Sequence, residues 1–369
     1  MAAMRTLLAA ALWIAGAVFQ SAGATPHAET LNTVRGHVAA FAQDGDVLAW
    51  FRPGIGTRCN NVTVASAANP IKVQLPQQGS AQNVTCMWRV GATPVSLALA
   101  GTTVAWTVHQ DSPIPFDWLL GASVGNRKER RFQELAHTKR GVGIWLGGLS
   151  GHRSTLVYGI ANVDYVDEAG CLSGAGNCEL DTAGGGVYRL AGRQLPKLIP
   201  GTDAAGAVAV AASDGAVAYV PSASVAKDGR PAAGADLPIE IVDAATGASI
   251  ARAMPEGVPL AIALTPTYLT TLERTASGAR IAWYDRATGV ARGSTAVPPS
   301  TSPSLSATDR VAVFHVGRSI RSVAPGSAKP HTLVRAAAEP IGLSIAGRRI
   351  AWAENLKSTA RIRALTLTP

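Results

Sequence analysis

A two-strand phrase recurs along this chain: a short Ala/Val/Leu run, a turn built on Gly or Asp-Gly, then an apolar run closing on Ala and an aromatic. It reads Ala-Ala-Phe-Ala-Gln-Asp-Gly-Asp-Val-Leu-Ala-Trp over 39–50 and Leu-Ser-Ile-Ala-Gly-Arg-Arg-Ile-Ala-Trp over 343–352. A hairpin copied in this way cannot bury its apolar faces alone, so it must stack on further copies of itself.

The second runs mark the copies: Val47–Trp50, Val104–Trp106, Thr155–Tyr158, Ala216–Tyr219, Tyr268–Leu272, Arg310–Phe314 and Ile350–Trp352. Trp50 and Trp352 lie 302 positions apart over six intervals, about 50 residues each, the length of a four-stranded sheet with its connections. Stacked sheets bury their middle strands on both faces, which explains apolar runs without alternation. The expected fold is all-β: a single β-propeller of seven four-stranded blades. Ala is expected to let sheets converge near the axis and the aromatic to fill the wider space outward. Asp44-Gly45 and Asp214-Gly215 supply the positive φ of tight hairpin turns.

Later strands are legible too. Pro238–Asp243 and Ile281–Asp285 each run into an Asp-x-x-Thr-Gly turn, and Val187–Leu190 plays the same part in the third unit. Ring closure calls for pairing between Thr30–Val34 and the tail Ala360–Leu367, which removes the exposed edge of an open array.

With Asp44-Gly45 leading to Ala49-Trp50 and Asp214-Gly215 leading to Ala218-Tyr219, the phrase resembles TolB-type β-propeller repeats over residues 30–369. The resemblance implies a propeller and no particular activity. The family's Ser-Pro before the turn is absent, and three units replace Asp-Gly by Gly101, Gly347 or Asp309-Arg310.

The first residues read as a cleaved leader. Arg5 precedes an apolar stretch over 6–19, too short to span a bilayer, and Ala22-Gly23-Ala24 offers a small-x-small cleavage site. The expected division is a signal peptide over 1–24 and a propeller domain over 25–369, secreted or periplasmic. Nothing later approaches the roughly 18 apolar residues of a membrane span. At 47% hydrophobic and 15% charged residues, the composition excludes a disordered chain. Four cysteines suit an oxidising compartment, and local spacing suggests Cys59 with Cys86 and Cys171 with Cys178, the other two pairings staying open.

Three segments break the repeat, and function tends to reside in such departures. Over 125–140, Arg127, Lys128, Arg130, Arg131, Lys139 and Arg140 surround Phe132, against Glu129 and Glu134. They form a candidate contact for a polyanion, or else a solvated outer strand. Over 162–181, Asp164, Asp167, Glu168, Glu179 and Asp181 flank the second cysteine pair without calcium-loop spacing. Over 222–236, a Pro/Gly/Ala-rich excursion reads as a flexible loop, and its Ser224-x-x-Lys227 lacks the partner motifs of a penicillin-binding enzyme.

No nucleophile-elbow, metalloprotease or phosphate-loop motif occurs, and the seven histidines show no paired ligand spacing. No catalytic residue, metal or cofactor is assigned. The expected function is a secreted, non-enzymatic, monomeric scaffold for a protein or cell-envelope component, with no nucleic-acid partner. The alternatives are a propeller enzyme, such as a polysaccharide lyase or glycoside hydrolase, and a polyanion-binding module on the basic segment.

Overall fold

A computed structural model describes residues 28–54, 59–68, 72–76, 84–85, 92–110, 116–136, 142–164, 185–190, 195–203, 206–225 and 231–368. The expected leader lies outside them. The described strands assemble into seven sheets.

After β1 (Glu29–Arg35), blade 1 comprises β2 (Ala40–Asp44), β3 (Val47–Arg52), β4 (Asn61–Ser66) and β5 (Lys72–Leu75). Blade 2 has β6 (Ala92–Ala100), β7 (Thr103–Gln110), β8 (Phe116–Ser123) and β9 (Arg130–Ala136). Blade 3 has β10 (Val142–His152), β11 (Thr155–Asp164), β12 (Gly186–Leu190) and β13 (Lys197–Leu198). Blade 4 has β14 (Ala207–Ser213), β15 (Ala216–Val225), β16 (Pro231–Ala233), β17 (Ile239–Asp243) and β18 (Ser249–Ala253). Blade 5 has β19 (Val258–Leu264), β20 (Tyr268–Thr275), β21 (Gly278–Asp285) and β22 (Ala291–Val297). Blade 6 has β23 (Leu305–Ala307), β24 (Ala312–Val316), β25 (Ser319–Val323) and β26 (His331–Arg335). Blade 7 has β27 (Pro340–Ala346), β28 (Arg349–Asn355) and β29 (Thr359–Thr366), with β1 as its fourth strand.

Six of the second runs read from the sequence fall wholly on second strands, β3, β7, β11, β15, β20 and β28, and the run Arg310–Phe314 enters β24 at Ala312. First strands touch one another in succession, β2 to β6, β10, β14, β19, β23, β27 and back to β2, so the ring is closed. β1 pairs antiparallel with β29, from Glu29 opposite Ala364 to Arg35 opposite Thr359, the closure that the pattern predicted.

The apolar residues divide into seven clusters, one at each interface between consecutive blades. Among the described residues no blade holds a core of its own. The Ala-aromatic ending is divided by the pleat: Ala49 packs toward blade 2 while Trp50 packs into the interface of blades 7 and 1. Ala105 and Trp106 repeat the split, as do Ala218 with Tyr219 and Ala351 with Trp352. This corrects the expectation that Ala lies toward the axis and the aromatic outward. Adjacent strand residues point to opposite faces, so small and large members separate across the sheet, each filling a different interface.

The excursion over 222–236 is also corrected. Ser222 pairs with Ala233 and Val225 with Pro231, extending β15 into a two-stranded spur whose tip, 226–230, lies outside the described residues. The basic segment lies partly on β9, the outer strand of blade 2.

Blades are also tied at their outer turns. In blade 5, Asp285 Oδ1 accepts from the Ala287 and Thr288 amides and the Thr288 hydroxyl, and Asp243 does the same for Ala245 and Thr246 in blade 4. The glycine ending each turn has positive φ, 72° at Gly247 and 73° at Gly289. A Cβ on Gly289 would lie 1.9 Å from the Arg252 carbonyl oxygen of blade 4, and one on Gly247 would lie 2.0 Å from that of Pro200. In blades 4 and 5 the turn therefore seats the blade against the preceding one.

Buried tyrosines complete the interfaces. Burial pushes Tyr219 up to about 12 from its ordinary 10.0, with Glu240 adding to the rise and Arg252 opposing it. Tyr158 is raised by burial and by Tyr188, on which it stacks at 5.2 Å. Tyr284 is raised by burial and by Glu273, which is fully buried and accepts its hydroxyl at 2.8 Å.

Gly289→Ala should lower unfolding free energy by about 2–4 kcal/mol through backbone collision. Gly45→Ala, at φ 55° but facing open space, should cost only about 1–2 kcal/mol by urea denaturation. The tyrosine contribution is complete below pH 10 and falls as pH rises toward about 12, because the unfolded chain releases protons that the folded one retains. At pH 11 the loss should be about 1 kcal/mol for Tyr219, and Tyr219→Phe should remove that part of the alkaline slope.

Candidate functional site

The turns joining first to second strands gather at one end of the ring. Those of blades 1, 3, 4, 5, 6 and 7 line a cavity of about 300 Å³ at the mouth of the central channel. The first strands converge on the axis, so their terminal residues meet there although they are far apart in sequence.

Strand pairing gives the turns a common frame. Asp44 opposes Val47, Ala100 opposes Thr103, His152 opposes Thr155, Ser213 opposes Ala216 and Ala346 opposes Arg349. Each of these five blades therefore has a two-residue turn. Its first position is Gly45, Gly101, Arg153, Asp214 or Gly347, and all five have positive φ. The two Asp-Gly pairs are thus offset by one residue: Asp44 ends its strand, whereas Asp214 occupies the turn. Among the described residues, Arg153 at 52° and Asp214 at 31° are the two non-glycine residues in this region, a conformation that costs about 1–2 kcal/mol each. Blades 3 and 4 have charged side chains where three other blades have glycine.

Those side chains meet. Arg153 Nη1 lies 2.8 Å from Asp214 Oδ1, and His152 stands between two carboxylates, 3.7 Å from Asp44 and 3.5 Å from Asp214. Asp44 is 9% exposed, and its Oδ2 accepts from the Gly101 and Arg153 amides, both at 2.7 Å. One carboxylate oxygen thus holds the turns of blades 1, 2 and 3 together. Arg286 of blade 5 donates to the Asp214 carbonyl at 3.4 Å, and Asp309 of blade 6 accepts from the Thr267 amide of blade 5 at 2.9 Å. Ser306 Oγ accepts from the Ile345 amide at 3.1 Å, and Arg349 donates to the Gly45 carbonyl at 2.6 Å, which completes the circuit. The lacing passes through every blade. An ion pair as exposed as Arg153 with Asp214 adds little stability, and the buried Asp44 contacts count for more.

The sequence-derived candidates fall elsewhere. Arg127 and Lys128 are exposed ahead of β9. Arg130 lies over the Phe132 ring at 5.3 Å and Arg131 over Trp118 at 5.5 Å, so aromatic contacts hold both cations on the outer edge. The Glu129 carboxylate accepts from the Val84 and Thr85 amides, and Thr85 Oγ1 accepts from Trp106 Nε1 at 3.0 Å. Lys139 and Arg140 lie outside the described residues. So do Cys86, Cys171, Cys178 and residues 165–184 of the acidic segment; Cys59, just ahead of β4, is not a free thiol. Among the described residues no group of three His, Cys, Asp or Glu side chains could hold a metal ion. No helix there is long and apolar enough to cross a membrane.

No family model matches the chain, nor does any curated protein. Solved structures do. A chain of a mitotic checkpoint complex is similar across 100% of this chain and 99% of its own, with TM-score 0.50 and 13% identity. The β-propeller domain of Cps50 (Swd1) from Myceliophteria thermophila matches over 93% and 100%, with TM-score 0.49 and 12% identity. The computationally designed Ika8 protein matches over 92% and 99%, with TM-score 0.47 and 11% identity. The chain is a seven-bladed β-propeller. Likeness at such identities speaks for the fold alone.

Asp44→Ala should lower the thermal unfolding free energy by about 2–4 kcal/mol, since two main-chain amides of other blades lose a charged acceptor. Asp44→Asn, which keeps an acceptor oxygen, should cost less than half as much in the same melts.

Proposed function

We propose that this propeller is an exported, non-enzymatic binding scaffold whose partner docks at the laced end of the ring. The observation that carries this reading is the cavity at the channel mouth, to which six blades contribute turns. Its buried Asp44 is committed to main-chain amides of two other blades, which suits a rigid recognition surface better than a proton-transfer centre. Propellers present such turns on a scaffold that need not move. The same proposal includes cleavage after residue 24, the pairs Cys59 with Cys86 and Cys171 with Cys178, a protein or envelope partner, and a kinship with TolB-type repeats founded on the Asp-Gly and Ala-aromatic phrase.

The test is capture of partners from the native medium and envelope fraction on immobilised mature protein. Asp309→Arg should reduce the captured species by at least about tenfold, as expected for a charge reversal inside an interface. Arg130→Gln with Arg131→Gln should leave capture unchanged. The reverse pattern, with loss only on changing β9, would transfer the function to the basic edge and favour a polyanion.

A further inference from the structure

The mouth combines carboxylates in its lining with buried polar groups that lack partners among the described residues. The whole chain carries a formal charge of +9, yet Asp44, Asp214 and Asp309 line the cavity with Arg153 and His152 beside them, while Arg286 and Arg349 reach its rim by donating to the Asp214 and Gly45 carbonyls. Gln43 and Ser213 also line it, at 9% and 1% exposure, and among the described residues neither Gln43 Oε1 nor Ser213 Oγ has a hydrogen-bond partner. A buried polar atom without a partner is costly, so Gln43 Oε1 and Ser213 Oγ would both gain from a hydrogen-bonding group, of water or of a ligand, placed at the mouth.

We infer that the channel mouth is a binding site for a compact organic cation, an ammonium or guanidinium group, held by the Asp214 and Asp309 carboxylates with Gln43 and Ser213 as additional hydrogen-bonding groups. This deepens the reading of the mouth as the recognition surface and rests on it. The dispersed carboxylates provide no compact cluster for a bare metal ion. A multi-donor cation, in contrast, can reach separated acceptors, and a cavity of about 300 Å³ is at the size where small-molecule sites begin. The protein already places one such group there: Arg153 donates to Asp214 Oδ1 at 2.8 Å while its side chain remains 72% exposed. Arg153 is therefore an internal competitor, a tethered guanidinium that a ligand must displace from one carboxylate.

That competition supplies a test which a purely structural role would not pass. Glycine is native at the equivalent position of blades 1, 2 and 7, so Arg153→Gly fits the turn and removes the competitor. Calorimetric titration of the mature protein with agmatine, and separately with a short blocked peptide containing one Arg, should show binding at one site. Agmatine alone binding would point to a free polyamine-like ligand, and the peptide binding at least as tightly would point to a partner side chain. Arg153→Gly should tighten binding severalfold, while Asp309→Asn and Ser213→Ala should each weaken it, the former by about tenfold, with thermal midpoints within a few degrees of wild type. If Ser213→Ala unfolds, Asp214→Asn replaces it with the same expectation. The inference is overturned if neither probe binds at millimolar concentration, if a citrulline peptide binds as well as the Arg peptide, or if Arg153→Gly leaves affinity unchanged. Partner capture that is sensitive to Asp309→Arg but accompanied by no cation binding would sink this inference alone. Loss of that sensitivity would remove the reading beneath it.

Discussion

The placement of every apolar cluster of the described residues between two blades, with none inside a blade, is the constraint on which the molecule depends. A single four-stranded sheet here exposes two apolar faces, and each must be covered by a neighbour. Seven such demands are met together only when the first and last sheets also meet, where Val34, Val38 and Trp50 pack with Ala351, Ala353 and Ile362. Closure is thus a condition of burial everywhere, and the pairing of β1 with β29 satisfies the hydrogen bonds of what would otherwise be an edge.

The polar lacing at the channel mouth follows from the same geometry. Strands that converge to bury apolar surface bring their turns within hydrogen-bonding distance, so carboxylates there can bridge blades that are far apart in sequence. Asp44 is 57 residues from Gly101 and 109 from Arg153, yet one oxygen serves both amides. The charged turn residues of blades 3 and 4 adopt a conformation that glycine adopts at less cost. Retaining Arg153 and Asp214 there makes sense if the mouth has a task beyond holding the ring together.

Much of the fold was legible because it is repeated. Seven Ala-aromatic or equivalent runs, their spacing and the Thr30–Val34 closure could be read from residue types alone. The direction of each member of the phrase was not, since Ala49 and Trp50 serve different interfaces and only the pleat determines which. The site was mostly illegible for a related reason. Asp44-Gly45 and Asp214-Gly215 look like one motif, but strand register places the first aspartate in a strand and the second in a turn. Arg153 stands out only once it is known to occupy the position of Gly45, Gly101 and Gly347. The charge run over 127–140 is conspicuous in the sequence, but its described cations lie on or just ahead of β9 at the outer edge, with Arg130 and Arg131 held over aromatic rings.

The strand that completes blade 7 is among the first parts of this domain to leave the ribosome, while its partner is among the last. Arg363 donates to Thr30 across 333 positions of sequence, and Asn355 to the Val38 carbonyl across 317. Until β29 emerges, β1 has no sheet to join and the apolar face of blade 1 toward blade 7 lies bare. Synthesis therefore leaves the first part of this domain sticky until nearly all of the domain has been made, and a nonsense codon even a few residues before Thr359 would leave β1 without its partner strand and blade 7 with two strands.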